Sequence, residues 1–177
     1  MKKIYIILMH THTIPSKLIK LFTRYEYSHV GLSLDKSCNT IYSFGRKKFN
    51  TILNSGFSIE KKTGEFFNKF NKTTCCIYEV NITDKQYEKV SKILNDMKAH
   101  TEKYKYDYLG LIPRFFGIPI TKKNRYVCSY FVATILEKTE IYSFDKKTCF
   151  VIPSDFEKID KFIEIYRGSY KMYNLNN

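Results

Sequence analysis

The sequence predicts an α+β fold in which an antiparallel sheet packs against helices. Two runs of β-forming apolar residues, 3–9 and 75–82, have the composition of buried strands. Residues 83–100 carry one apolar stripe at helical spacing, and residues 29–34 and 40–44 flank a turn-forming stretch. A length of 177 residues, 44% of them hydrophobic, suits a single domain spanning residues 1–177.

The first elements are a central strand and a helix. Residues 3–9 are almost wholly apolar, which is typical of a strand buried on both faces. The stretch "IPSKLIKLFTRY" (14–25) predicts a helix, because a proline is favoured in a first turn and Leu18, Ile19 and Phe22 share a face.

A β-hairpin follows, with "DKSCN" as its turn. If Leu34 pairs with Thr40, then His29 faces Gly45 across the ladder. Ser43 then lies diagonally from His29 on the same face of the sheet.

The second half alternates regular elements with long connections. Residues 45–74 are polar and punctuated by glycine, so we expect a long loop with one helical turn. Thr83 and Gln86 have the spacing of a capping box at the start of the helix over 83–100. The remaining segments predict a connection over 101–126, an apolar helix over 128–137 and a closing strand over 162–168.

The charge balance is strongly basic. Lysine and arginine total 30 against 17 acidic residues, a net charge of +13. Such a charge favours weak contact with anionic surfaces. The lysines are scattered and no nucleic-acid motif occurs, so we expect no specific nucleic-acid binding.

The five cysteines predict reduced thiols and therefore a cytoplasmic protein. Their number is odd, their spacing is irregular, and no C-x-x-C pair is present for zinc. The N-terminal apolar run, Ile4 to Met9, is short for a signal peptide and no small-residue cleavage site follows it.

Cys128 admits two interpretations. It opens the apolar helical pattern of "CSYFVATIL", so a buried core cysteine is one of them. The other is a nucleophile, because amide N–H groups and the dipole at a helix N-terminus stabilise a thiolate. His29 is similarly either a structural residue or the general base that such a thiol needs. Ser43 is the candidate for holding the imidazole ring.

Other polar residues attract no functional assignment. His10 and His12 alternate onto one face, but two ligands without an acidic or cysteine partner make a weak metal site, and we expect no metal or cofactor. Asp107 and Asp155 are expected in loops without a role. The apolar stretch "LGLIPRFFGIPI" (109–120) would suit a roof over a substrate groove or a membrane contact, and we favour a local core plug.

Three motifs in order, "YSHVGLSLD", "IYSFGRK" and "YVCSYFVATIL", resemble the permuted papain-like cysteine enzymes of the NlpC/P60 superfamily, in particular the amidase-like YiiX/YaeF group. The likeness extends to proteins of low-GC Gram-positive bacteria, in which a T-x-T motif (Thr11 and Thr13) and a closing Y-R-G motif (Tyr166 to Gly168) recur.

The resemblance implies a permuted papain-like fold with Cys128 as nucleophile, His29 as general base and Ser43 in the third position, which relatives often fill with histidine or glutamate. It implies hydrolysis of an amide bond, of peptide or isopeptide type, through an acyl-enzyme. Two alternatives remain open: a lipid-directed thioesterase or acyltransferase using the same residues, as in the lecithin–retinol acyltransferase branch, and a catalytically inactive binding module.

Overall fold

The computed structural model describes residues 1–11, 25–46 and 55–173. The predicted helix over 14–25 therefore lies outside the described residues except for Tyr25, as do His12 and Thr13. Within the described part, eight strands form one sheet in the order β7-β6-β4-β3-β2-β1-β5-β8. The strands are β1 Lys2–His10, β2 His29–Ser33, β3 Thr40–Arg46, β4 Ser55–Lys61, β5 Thr74–Ile82, β6 Lys105–Tyr106, β7 Arg125–Tyr126 and β8 Ile163–Ser169.

Four α-helices accompany the sheet in the described part of the chain: α1 Glu65–Lys69, α2 Asp84–Ala99, α3 Tyr108–Phe115 and α4 Cys128–Lys138. Short 3₁₀ helices lie at Thr101–Lys103, Thr148–Phe150, Pro153–Lys158 and Tyr170–Met172. The mixed α+β class is thus confirmed. All strand pairs are antiparallel apart from β6 and β7, which run parallel.

The elements with strong local signals are where the sequence places them. The capping box is formed, since the Gln86 amide donates to Thr83 Oγ1 at 3.2 Å and the Thr83 amide donates to Gln86 Oε1 at 3.0 Å. The hairpin register is also confirmed, because Leu32 pairs with Tyr42 as the Leu34–Thr40 alignment requires.

Two predictions about the connections are wrong. The supposed loop over 45–74 contains β4, which pairs along its whole length with β3. Its sequence, "SGFSIEK", has a glycine and two serines that weaken the strand signal, and the partner strand rather than local propensity stabilises it. The helical turn expected there is α1.

The connection over 101–126 likewise contains β6, α3 and β7. Pro113 lies inside α3, although a proline in a helix interior is unfavourable because it lacks a backbone N–H. Asp107 compensates at the N-terminus by accepting a hydrogen bond from the Gly110 amide at 3.1 Å. Asp155, also expected in a loop without a role, lies in a 3₁₀ helix and accepts from the Ile152 amide at 2.8 Å.

The sheet buries both of its faces. Helices α2 and α4 cover one face, whose core includes Leu32, Phe44, Val90 and Phe131. The other face holds a smaller core around Ile7, Cys75 and Tyr170. Cys75 and Cys76 thus point to opposite faces, as their adjacency in a strand predicts. Among the described residues, no helix has the length and apolar character needed to cross a membrane.

Candidate functional site

Cys128 is the first residue of α4. Val127 precedes it in an extended conformation (φ −98°, ψ 167°), and no side chain caps the helix, so the first amide N–H groups of α4 remain directed at the Cys128 region. The helix is anchored on β2 and β3, and the Phe131 ring lies 5.0 Å from the Phe44 ring. The packing of α4 against the sheet therefore fixes the position of the Cys128 sulfur.

Cys128 is 7% exposed, which makes it the most accessible of the five cysteines, since the next, Cys149, is 5% exposed. All five are free thiols.

His29 begins β2, and its imidazole interacts directly with the Cys128 side chain. The segment that leads into β2 is tightly held. The Ser28 amide donates to the Met9 carbonyl at 3.1 Å, and the Arg167 guanidinium lies over the Tyr27 ring at 5.6 Å and donates to its hydroxyl at 3.1 Å. The Y-R-G motif on β8 thus helps to fix the residues preceding His29.

Ser43 lies diagonally across the hairpin from His29, as the register predicts. Its Oγ is 3.0 Å from His29 Nε2 and donates its proton to the Val30 carbonyl at 2.8 Å. Because the hydroxyl proton is used in that bond, Oγ accepts from Nε2–H. This assignment leaves Nδ1 as the ring nitrogen available to pair with the Cys128 thiol.

Glu60 is a fourth member that the sequence reasoning missed. It lies on β4, and its Oε1 is 3.7 Å from His29 Nε2 and 3.1 Å from the Ser58 hydroxyl that donates to it. The carboxylate is largely buried, and its Oε2 has no hydrogen-bond partner among the described residues. Gly45 leaves room beside it, since a Cβ there would be 3.5 Å from Glu60 Oε1 and 3.7 Å from His29 Cε1.

A signal for Glu60 exists in the sequence. Ser58 and Glu60 are two residues apart and so share one face of a strand. This alternation points to the site only if residues 55–61 are known to pair with β3. In that pairing, Ser58 lies opposite Ser43.

The electrostatics favour a thiolate–imidazolium pair. Burial alone would raise the pKa of Cys128, but the charge and hydrogen bond of His29, with the amides of Val30 and Ser129, lower the pKa of the thiol below its ordinary value. Burial alone would lower the pKa of His29, but the Cys128 thiolate and the Glu60 carboxylate together raise it. The buried cation is therefore balanced by two anions.

Tyr106 borders the site on the β6 side. Burial, and then the negative charge of Cys128, raise the pKa of its phenol, so it stays protonated beside the thiolate. Its ring lies 4.6 Å from that of Tyr108, the first residue of α3. The site thus extends directly into α3.

In comparisons with known proteins, the chain matches no protein-family model and no curated protein. The functional assignment therefore rests on the geometry of the site.

Proposed function

We propose that the protein is a cysteine hydrolase of permuted papain-like architecture that cleaves amide bonds, of peptide or isopeptide type, through an acyl-enzyme. The observation that carries the proposal is the pairing of Cys128, at the N-terminus of α4, with His29, at the start of β2. In the chain, the histidine precedes the cysteine, which is the permuted order. The five free thiols fit this proposal without carrying it.

The reaction would begin with attack of the Cys128 thiolate on the substrate carbonyl carbon, forming a C–S bond and placing negative charge on the carbonyl oxygen. The backbone N–H of Cys128, unpaired within its helix, is suited to stabilise that oxyanion. Imidazolium His29 would then give its Nδ1 proton to the leaving amine as the C–N bond breaks.

Deacylation would use the same groups in reverse. His29, now neutral, would remove a proton from water, which attacks the thioester carbonyl and releases the acid and the Cys128 thiolate. Glu60 and Ser43 would hold the imidazole through Nε2–H during both steps, with the carboxylate stabilising the cationic form. We assign Glu60 the electrostatic part of the third-residue role and Ser43 the orienting part.

A lipid-directed thioesterase or acyltransferase on the same residues is the second candidate. It is favoured by one observation, the exposure of apolar side chains on α3, whose first residue, Tyr108, contacts Tyr106 at the border of the site. In that case the acyl group passes from the Cys128 thioester to a second acceptor instead of water.

The test is selective alkylation at pH 6–7. Because its pKa is lowered, Cys128 should react with iodoacetamide faster than the four other cysteines, as mapped by mass spectrometry. His29→Ala should remove this selectivity, whereas Cys149→Ser, which replaces the next most exposed thiol, should leave it unchanged. Incubation with activated ester and amide substrates should then trap an acyl group on Cys128 alone.

A Cys128 that alkylates no faster than Cys149 in the folded protein would exclude the hydrolase proposal and favour an inactive binding module. An acyl-enzyme that resolves only on addition of an acceptor alcohol or amine would favour the acyltransferase.

A further inference from the structure

Four large apolar side chains project into solvent from α3 and the turn that follows it. Exposure is 71% for Leu109, 78% for Phe116, 51% for Ile118 and 38% for Ile120. The core plug expected for residues 109–120 is therefore wrong for these side chains. We call these four residues the apolar patch. Scattered single exposed hydrophobics are ordinary, but four within twelve residues mark an interaction surface.

The backbone keeps the four residues of the patch close together. Leu109 lies in the first turn of α3, and Phe116 directly follows the helix seven residues later, which is two helical turns. The amides of Gly117 and Ile118 donate to the Arg114 and Pro113 carbonyls, each at 3.1 Å, which turns the chain back beside the end of the helix. Gly117 adopts a positive φ of 74° in this turn, where a side chain would be strained.

A buried ion pair holds the patch in place. The Arg114 guanidinium binds the Asp107 carboxylate and also donates to the Ile120 carbonyl, from Nε at 3.2 Å and Nη2 at 2.9 Å. Arg114 therefore links the start of α3 to the end of the turn. The buried charge pair therefore gives the exposed apolar segment a defined conformation.

The sequence on both sides of the patch is cationic. Residues 100–126 contain six lysines and arginines and two acidic residues, one of which, Asp107, is neutralised internally by Arg114. The exposed lysines of this stretch are Lys103, Lys105, Lys122 and Lys123. Exposed apolar side chains flanked in sequence by exposed lysines match the two layers of an anionic bilayer, whose hydrocarbon lies beneath negatively charged headgroups.

We propose that the apolar patch docks on an anionic phospholipid bilayer. Leu109, Phe116 and the two isoleucines would enter the headgroup–acyl boundary, with the lysines against the lipid phosphates. Since Tyr106 and Tyr108 connect α3 to Cys128, docking would hold the thiol at the membrane surface. The docking itself does not depend on the chemistry proposed for Cys128.

Vesicle flotation of the full-length protein tests this docking. Vesicles of phosphatidylcholine mixed with phosphatidylglycerol should carry the protein upward, and vesicles of phosphatidylcholine alone should carry much less. The double variant Leu109→Ser/Phe116→Ser should bind at least about tenfold more weakly, because two large apolar side chains no longer leave water. Lys122→Glu/Lys123→Glu should weaken binding to the anionic vesicles about tenfold.

Matched controls lie at the opposite edge of the sheet. Ile163→Ser/Met172→Ser removes two apolar side chains that are 49% and 68% exposed, and Lys72→Glu/Lys171→Glu reverses two exposed lysines. Both controls should bind like the original protein. Cys128→Ser should also bind normally, which separates docking from the proposed chemistry.

A fluorescence measurement gives a second reading. The chain has no tryptophan, so Phe116→Trp introduces a single reporter, and its emission should shift to the blue on anionic vesicles. Met172→Trp should show no shift. Absence of flotation with both vesicle types would overturn the proposal, as would flotation that survives Leu109→Ser/Phe116→Ser. A dimer in solution that this double variant dissociates, without vesicle binding, would instead make the patch an interface between copies of the chain.

Discussion

At the scale of single residues, the site places one buried cation between two anions. His29 interacts with the Cys128 thiol, and its Nε2 lies 3.0 Å from Ser43 Oγ and 3.7 Å from Glu60 Oε1. Each contact has a different consequence. In the proposed mechanism, the thiol exchanges a proton with the ring, the hydroxyl orients it, and the carboxylate stabilises its charge.

These roles predict a ranking of variants. His29→Ala should reduce the acylation rate by about 10²–10⁴-fold, because no other group moves the proton. Glu60→Gln should reduce it by about tenfold, since a neutral amide stabilises imidazolium less than a carboxylate does. Ser43→Ala should have the smallest effect. Acyl-enzyme formation on one reporter ester, followed by mass spectrometry, measures all three.

Melting curves must show that each variant is folded. If folded Ser43→Ala loses as much activity as His29→Ala, the hydroxyl has more than an orienting role. If neither variant loses activity, catalysis occurs elsewhere.

The same contacts predict a pH dependence. The reactive ion pair exists between the pKa of Cys128, which forms the acidic limb, and the pKa of His29, which forms the basic limb. Glu60 raises the pKa of His29, so Glu60→Gln should move the basic limb to lower pH. The acylation rate followed across pH measures both limbs. As a control, Glu79→Gln removes a carboxylate on β5, away from the site, and should leave both limbs of the pH profile unchanged. If the basic limb of Glu60→Gln does not move, Glu60 and His29 are not coupled.

At the scale of elements, α3 depends on a pair of buried charges. The Asp107 carboxylate caps the helix and binds Arg114, and both side chains are almost completely buried. Such a pair stabilises little by itself, but a single unpaired charge left in the interior is costly.

Asp107→Ala should therefore destabilise the protein by about 3–5 kcal/mol, because Arg114 loses its counter-ion. The double variant Asp107→Leu/Arg114→Met should lose less than the single variant. Thr83→Ala removes only the cap of α2 and should cost about 1 kcal/mol. Urea unfolding of the three variants compares these values, and a double variant less stable than Asp107→Ala would contradict the argument.

At the scale of the whole molecule, the C-terminal segment joins the β8 edge of the sheet to the turn between two central strands, β2 and β3. Tyr170 follows β8, yet its hydroxyl donates to the Cys38 carbonyl at 2.7 Å, in the turn between β2 and β3. Cys38 has a positive φ of 50°, and this bond satisfies its carbonyl. The Tyr170 ring packs 4.6 Å from Phe67 on the second face of the sheet.

Tyr170 should therefore contribute mainly through packing. Tyr170→Phe should cost about 1 kcal/mol, the net value of one hydrogen bond, whereas Tyr170→Ala should cost about 3–5 kcal/mol by leaving a cavity. Met172→Ala, two residues on and exposed, should change stability by less than about 0.5 kcal/mol. Equal losses for Tyr170→Phe and Tyr170→Ala in thermal unfolding would show that the hydrogen bond dominates.

Local patterns by themselves determined the hairpin register, the capping box of α2 and the placement of Cys128 at the start of α4. Each depends on residues close in sequence, whose spacing reports directly on strand alternation or helical periodicity. The position of Ser43 beside His29 follows from the same register.

Only the tertiary structure decided that 55–61 is a strand and that Glu60 reaches His29, because β4 is stabilised by pairing with β3 and not by its own composition. The tertiary structure likewise decided that α3 forms despite Pro113, with the Asp107–Arg114 pair stabilising it. It also decided that the side chains of Leu109 and Phe116 face solvent. Hydrophobicity states which side chains can be buried, but the number of neighbours that the fold brings to each one decides which are buried.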